Sequence, residues 1–358
     1  MLEIRSSARS YAVDEFASLG DAVAACAEPG TFALVDRRVA ELYAGELALL
    51  PAERTFTIEA TEDAKSFAAL EPVFTWLVEN GLKRSGHLLV VGGGVLQDIG
   101  CFVASVLFRG VRWSLVPTTL LAQADSCIGS KSSVNLGAYK NQIGTFYAPH
   151  RVAITPAVLG TLEPDELRSG MGEVLKLHLL AGDGEYRALL AGLAAWNGDS
   201  AALAPWVASS LRIKQRYIET DEFDTGIRNL LNYGHTFGHA YESVTHYAIP
   251  HGIAVTLGML TATLLSARLG MVEAAYFEQL RRELHPWYTP YDRELRGVDP
   301  AALAAAIRLD KKNTAAGVNC ILTAGAGRMS RVPVPLEAEI MPAIAAFIEA
   351  AGEPVGGT

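Results

Sequence analysis

Short apolar runs closed by glycine, proline or aspartate alternate with helically spaced stretches over the first part of the chain. Phe32-Ala33-Leu34-Val35 ends at Asp36 and gives way to RRVAELYAGEL, whose apolar spacing is helical. Leu88-Leu89-Val90-Val91 stops at a triple glycine, and Trp113-Ser114-Leu115-Val116 stops at Pro117-Thr118-Thr119. Runs of this length, bounded in this way, suit strands buried on both faces of a parallel sheet. Strands alternating with helices predict an α/β domain wound right-handedly. Beyond Thr155 the texture changes. EYRALLAGLAAW, IAVTLGMLTATLLSARLG and PAALAAAIRLDKK predict amphipathic or buried helices. The pattern therefore predicts an α/β domain over 1–155 and an α-helical domain over 156–358. Val318-Asn319-Cys320-Ile321-Leu322 reads as a late strand returning to the first domain.

A length of 358 residues agrees with two domains. Half of the residues are hydrophobic and 19% are charged, which excludes a disordered chain. The net charge of -9, without a basic stripe, argues against a nucleic-acid partner and reads as an aid to solubility. Cys26, Cys101, Cys127 and Cys320 are far apart and lack C-x-x-C spacing. They predict reduced thiols rather than a sulfur-ligated metal or a disulfide framework. The opening MLEIRSSARSYAV lacks a signal-peptide pattern, and no apolar run reaches the roughly 18 residues of a membrane span. The expected location is cytoplasmic, with no membrane partner.

Candidate chemistry enters at VVGGGVLQD, where Gly92, Gly93 and Gly94 follow a predicted strand and Asp98 lies one turn further on. Bare backbone at a helix N-terminus can cradle a pyrophosphate, although a plain tight turn explains three glycines equally well. Asp36 would bind an adenosine ribose or cap a helix. Glu62 and Lys65, at i and i+3, read by default as a surface ion pair. GMGEVLKLH carries Glu173 and Lys176 one turn apart, NYGHTFGHA carries His235 and His239, and PHGIAV carries His251. Thr236 stands where a zinc peptidase of the H-E-x-x-H type needs its glutamate, which disfavours that class. Catalytic zinc often takes two histidines and a carboxylate, and Glu173, His235 and His251 would satisfy that. His239 would then be left to hydrogen-bond a substrate group. Arg109, Asp125, Lys131, Asn135, Lys140 and Asn141, followed by Lys214, Arg228, Asn232 and Lys311-Lys312, suit a small anionic substrate. Singly, each of these cations reads as a solvated surface residue.

GGGVLQD, PTTLLAQADSCIGSKSSVN, KNQIGTFYAP, SGMGEVLK, LLNYGHTFGHA and PHGIAV resemble, in order and spacing, the motifs of the 3-dehydroquinate synthases of the sugar phosphate cyclase superfamily. The resemblance runs from about residue 60 to 312. It implies a Rossmann-like NAD-binding domain followed by an all-α domain, a homodimer, and one divalent metal, zinc or cobalt. It implies Glu173, His235 and His251 as metal ligands. Asp125, Lys131, Asn141, Lys176, Lys214, Arg228, Asn232 and His239 match substrate-binding and catalytic positions, joined by one of Lys311 and Lys312. Arg109 is similar to an arginine that reaches into the partner subunit's site. Asp36, Glu62, Lys65, Gly93, Gly94, Asp98, Thr118, Thr119 and Lys140 match NAD-contacting positions, and Asp125 is counted with them too. The implied reaction converts 3-deoxy-D-arabino-heptulosonate 7-phosphate to 3-dehydroquinate and phosphate, a step of aromatic amino acid biosynthesis. It proceeds by transient oxidation with NAD, elimination, reduction, ring opening and aldol closure.

Three departures from the usual motifs stand out. Ser130 and Ser133 replace glycines, Ile253 replaces a glutamate, and Leu177-His178 replaces an aromatic-small pair. They raise as an alternative a paralogue acting on sedoheptulose 7-phosphate or another sugar phosphate in secondary metabolism, whereas Arg228, Lys214, Asn232 and His239 follow the dehydroquinate pattern and favour the heptulosonate. A polyol dehydrogenase of the glycerol dehydrogenase type shares the two-domain plan, but Lys131, Lys214 and Arg228 argue against it. A catalytically silent relative is the remaining alternative.

Overall fold

The structure, a computed structural model, describes residues 2–137, 139–308 and 317–350. Its first strands are β1 (Leu2–Ile4), β2 (Tyr11–Glu15), β3 (Phe32–Asp36), β4 (Thr55–Ile58), β5 (His87–Gly92), β6 (Arg112–Pro117), β7 (Lys131–Leu136), β8 (Tyr139–Phe146) and β9 (Arg151–Ile154). Helices α1 (Leu19–Cys26), α2 (Arg37–Leu42), α3 (Ala44–Leu47), α4 (Glu71–Glu79) and α5 (Gly94–Val106) alternate with them. Then come α6 (Pro164–Ala181), α7 (Asp183–Ala194), α8 (Ala204–Thr220), α9 (His235–Val244), α10 (His251–Arg268) and α11 (Ala274–Tyr288). The remainder is α12 (Asp292–Arg296), α13 (Pro300–Arg308), β10 (Val318–Thr323), β11 (Met329–Val334) and α14 (Met341–Ala350).

Two compact units are formed, one from Met1–Leu162 with Gly198–Phe223, the other from Glu163–Asn197 with Asp224–Thr358. In the first, seven strands lie in the order β1-β2-β9-β6-β5-β3-β4. All neighbours are parallel except β1, which runs antiparallel to β2 at the edge. Leu88, Leu89, Val90 and Val91 are completely buried, as the uninterrupted apolar run requires of a strand covered on both faces. On one face Ala33, Val35, Leu89, Val91 and Val116 share a core with Leu19 and Val23 of α1. Fully burying each such valine or leucine contributes roughly 1.5–3 kcal/mol. The chain adds β4 outside β3, then returns to place β5 on the other side of β3. The carboxyl ends of β3 and β5, at Asp36 and Gly92, thus flank the reversal of strand order where open α/β sheets take their ligands.

The second unit is built around α10, whose residues Gly252 to Thr263 are all buried. A helix apolar on every side has to be enclosed by others. The observed division differs from the break expected at 155–156 in two respects: the first unit runs on to Leu162, and a later segment returns to it. Gly198–Phe223, containing α8, belongs to the first unit. It is tied there by Gln215 Nε2 donating to the Glu3 carbonyl at 2.7 Å and by Arg5 pairing with Glu219 at 2.7 Å. The expectation for the late strand is also corrected: β10 pairs antiparallel with β11 in a separate hairpin and does not join the large sheet. Among the described residues, the second unit has no strands apart from that hairpin. All four cysteines are free and buried. No helix among the described residues is long and apolar enough to cross a membrane.

Candidate active site

In the first unit β5 runs into the three glycines, and Gly93 is the N-cap of α5. A Cβ at Gly93 would lie 2.8 Å from Thr119 Cγ2, so any other residue there would have to displace that side chain. At Gly94 a Cβ would meet nothing closer than Ser126 Oγ at 3.7 Å, leaving room before the first turn of α5. The N–H groups of that turn have no carbonyl partner within the helix and favour an anion. Thr118 and Thr119 brace the neighbouring turn, Thr118 N donating to the Gly92 carbonyl at 3.1 Å and Thr119 Oγ1 accepting from Ala122 N at 3.2 Å. Asp36 caps α2, its Oδ1 accepting from Arg38 N at 2.8 Å and Val39 N at 3.4 Å.

Glu62 and Lys65 are not the surface pair that their spacing suggests. The Lys65 side chain is 8% exposed and donates to Asp98 Oδ2 at 2.9 Å, with Glu62 Oε1 3.7 Å away. Burial pushes the Asp98 carboxyl up, while Lys65 and Ser133 pull it back. Glu62 Oε1 accepts from Asn135 Nδ2 at 2.8 Å and lies 3.5 Å from Lys140 Nζ. Both serines that replace glycines have partners. Ser133 Oγ lies 3.0 Å from Asp98 Oδ2 and 2.9 Å from Asn141 Oδ1, and Ser130 Oγ donates to Glu222 Oε1 at 3.1 Å. Asp125 sits in a wide π-type turn, Ala122–Ser126, a conformation frequent at functional sites. Lys214 of α8 meets it, with Nζ 2.6 Å from Oδ1 and 2.7 Å from the Asp125 carbonyl. The Lys131 ammonium lies over the Phe146 ring at 5.8 Å. Arg109 is exposed at the end of a turn in which Phe108 and Arg109 both adopt left-handed backbone, at φ 52° and 64°. Two such residues in succession store strain.

In the second unit three helices deliver the carboxylate and the imidazoles. Glu173, in the middle of α6, is 1% exposed and pairs with Lys176 one turn later. His235 and His251 are the first residues of α9 and α10. Their Nε2 atoms lie 3.6 and 3.3 Å from Glu173 Oε1, and the three donor atoms fall within 4.8 Å of one another. Ligands about 2.0 Å from a tetrahedral zinc are about 3.3 Å apart, so the spacing is that of a metal shell. Glycine makes the approach feasible: a Cβ at Gly252 would lie 1.7 Å from the Ser169 carbonyl oxygen of α6. His239, one turn after His235 and exposed, stacks on His251 with ring centroids 5.8 Å apart. Arg228 is buried in the short helical segment Ile227–Asn232 before α9, and Asn232 Nδ2 donates to the Asn229 carbonyl at 3.0 Å. Lys311 and Lys312 lie outside the described residues.

One residue escaped the sequence reading. Glu242, in the last turn of α9, accepts from His251 Nδ1 at 3.1 Å. Its position two turns after His235 on the same face was the available signal. Burial disfavours charge on His251, but Glu173 and Glu242 more than offset it and raise this imidazole to about 10. His178, by contrast, is a satisfied core residue, its Nδ1 bonded to the Val174 carbonyl at 2.8 Å.

Two family models match the chain, "3-dehydroquinate synthase N-terminal" over residues 55–169 and "3-dehydroquinate synthase C-terminal" over residues 170–313. A 3-dehydroquinate synthase of Xanthomonas axonopodis pv. citri (strain 306) is 37% identical over 329 residues, which cover 88% of this chain and 85% of that one. A 2-epi-5-epi-valiolone synthase from Streptomyces hygroscopicus subsp. jinggangensis 5008, solved with NAD+ and Zn2+, superposes with a TM-score of 0.82 at 26% identity over 96% of this chain and 99% of that one. A 2-deoxy-scyllo-inosose synthase, solved with carbaglucose-6-phosphate, NAD+ and Co2+, shares the fold with a TM-score of 0.84 at 20% identity, again over 96% and 99%. With both halves matched in order and more than a third of positions identical to a relative of similar length, the chain belongs to the 3-dehydroquinate synthase family.

Proposed function

We propose that this protein is a 3-dehydroquinate synthase, a carbon–oxygen lyase that converts 3-deoxy-D-arabino-heptulosonate 7-phosphate to 3-dehydroquinate and phosphate. The observation that carries the proposal is the meeting of Glu173, His235 and His251 in a chain 37% identical to such an enzyme. One buried carboxylate and two imidazoles at 3.3 and 3.6 Å fit a divalent cation that keeps an open position for substrate. The space at Gly94, ahead of the unpartnered N–H groups of α5, fits the pyrophosphate of a dinucleotide. When bound, NAD+ takes up and returns a hydride, and zinc or cobalt supplies Lewis acidity.

The chain's own residues do the rest by holding and orienting. Glu173, His235 and His251 hold the ion, and Lys176 pairs with the buried carboxylate. Gly93 and Gly94 receive the pyrophosphate. Asp36 binds a ribose hydroxyl, and Glu62, Lys65, Asp98, Thr118, Thr119 and Lys140 frame the cofactor. Arg228 can clamp the substrate carboxylate through two parallel hydrogen bonds, and Lys214 adds a second positive charge. Lys131, Asn141, Asn232 and His239, with Lys311 or Lys312, hydrogen-bond the remaining oxygens. Once the neighbouring carbon is a ketone, the adjacent C–H is acidic. Phosphate then leaves with the electron pair of its C–O bond, and one of its own oxygens accepts the proton. Little is asked of the protein beyond positioning and charge stabilisation.

Homodimerisation, with Arg109 entering the partner subunit's site, is part of the same reading. It is supported by the exposed, left-handed turn that presents this arginine. Four free thiols support a reducing, cytoplasmic setting. The test is phosphate release by the purified protein offered the heptulosonate, sedoheptulose 7-phosphate and glucose 6-phosphate. The proposal expects turnover of the heptulosonate above the other two. A preference for either of the others would overturn the substrate assignment.

A further inference from the structure

The usual family motif carries a glutamate where this chain has Ile253, and that position is wholly buried. A carboxylate of α9, Glu242, reaches His251. Along that helix His235, His239 and Glu242 fall at successive turns of one face. The two nitrogens of His251 face two carboxylates, Nε2 lying 3.3 Å from Glu173 Oε1 and Nδ1 lying 3.1 Å from Glu242 Oε2. A neutral imidazole has one donor nitrogen and one lone pair. An ionised carboxylate only accepts, so without a metal both nitrogens donate; an ion seated beside Glu173 and His235 would take the place of the Nε2 proton, while Glu242 keeps the one on Nδ1. The lone pair is thereby placed on Nε2, on the side of Glu173 and His235. Partners of this kind fix the tautomer and the ring orientation of a metal-ligating histidine and raise its basicity.

We infer that Glu242 is the positioning residue for His251 in the metal site. The inference rests on the metal reading above. It also decides between two groupings of ligands. His239, Glu242 and His251 likewise lie within 4.8 Å of one another and would make a second cation site. With its Nδ1 proton given to Glu242, His251 has a single lone pair and serves one ion.

The test titrates metal-free protein with Zn2+ in competition with a chromophoric chelator, for wild type, Glu242→Ala, Glu242→Gln and His235→Ala. Metal-free melting curves serve as the control for folding. Glu242→Ala should weaken zinc binding on the order of 10–100-fold. Glu242→Gln, whose amide oxygen still accepts from Nδ1–H, should weaken it less. Co2+-loaded Glu242→Ala should show a shifted visible absorption spectrum, which a purely structural role for Glu242 would leave unchanged. Affinities of both Glu242 variants within twofold of wild type, or two ions bound per wild-type chain, overturn the inference. If His235→Ala loses zinc while the Glu242 variants keep it, the metal site stands and the positioning role alone falls. If wild type binds no zinc, both fall together.

Discussion

Lys65 and Asp98 illustrate what burial does to a single ion pair. Lys65 is 6% exposed and bonds Asp98 at 2.9 Å, while Ser133 adds a backbone and a hydroxyl donor to the same carboxylate. Removing one partner of such a pair strands the other charge, at a cost of about 3–5 kcal/mol. Lys65→Met should therefore lose stability of that order in urea unfolding, and a loss below about 1 kcal/mol would contradict the pairing. From sequence, Glu62 and Lys65 at i and i+3 looked like a surface pair, because burial is set by Asp98, which is remote in the chain. Asp36 shows the reverse case. Its capping of α2 was one of two readings open from its place at a strand end, and the backbone bonds of α2 bear it out.

At the scale of elements, the three proposed metal ligands are brought together by helix packing rather than by loops. Gly172 and Gly252 allow α6 and α10 to touch backbone to backbone, since a Cβ at Gly172 would lie 2.0 Å from the Gly252 carbonyl oxygen. Gly252→Ala should push the helices apart and weaken zinc binding at least tenfold, although no ligand has changed. Chelator competition measures it, and an unaltered affinity would show that the helices need not approach so closely. The meeting of Glu173, His235 and His251 was legible because histidines and a carboxylate are scarce in such apolar surroundings and fell into recognisable motifs. The glycine contacts were not, because their partners are on another helix and leave no trace in local periodicity. Glu242 was missed for a related reason: only the packing of α9 beside α10 brings its carboxylate to His251.

Across the whole molecule, the strand runs and the change of texture after Thr155 made the α/β-then-helical order readable. The return of α8 to the first unit was unreadable, since it depends on pairings such as Lys214 with Asp125. Several histidines make stability depend on pH. Burial lowers His87 and His178, and burial together with Arg9 lowers His150 to about 4. The unfolded chain takes up protons below about 6.5, where these folded imidazoles do not. Their contribution is complete above about 6.5 and is lost as the pH falls toward about 4. The denaturant midpoint of metal-free protein should drop over that interval, and a flat profile would contradict neutral, buried histidines.

The central claim is that the cofactor is used and restored within one turnover. It is tested most directly by counting phosphate released per NAD+ when 3-deoxy-D-arabino-heptulosonate 7-phosphate is in large excess over NAD+. The account predicts many phosphates per NAD+ with no net accumulation of NADH. One NADH per molecule of product, or NADH without phosphate, would mark a dehydrogenase and contradict it.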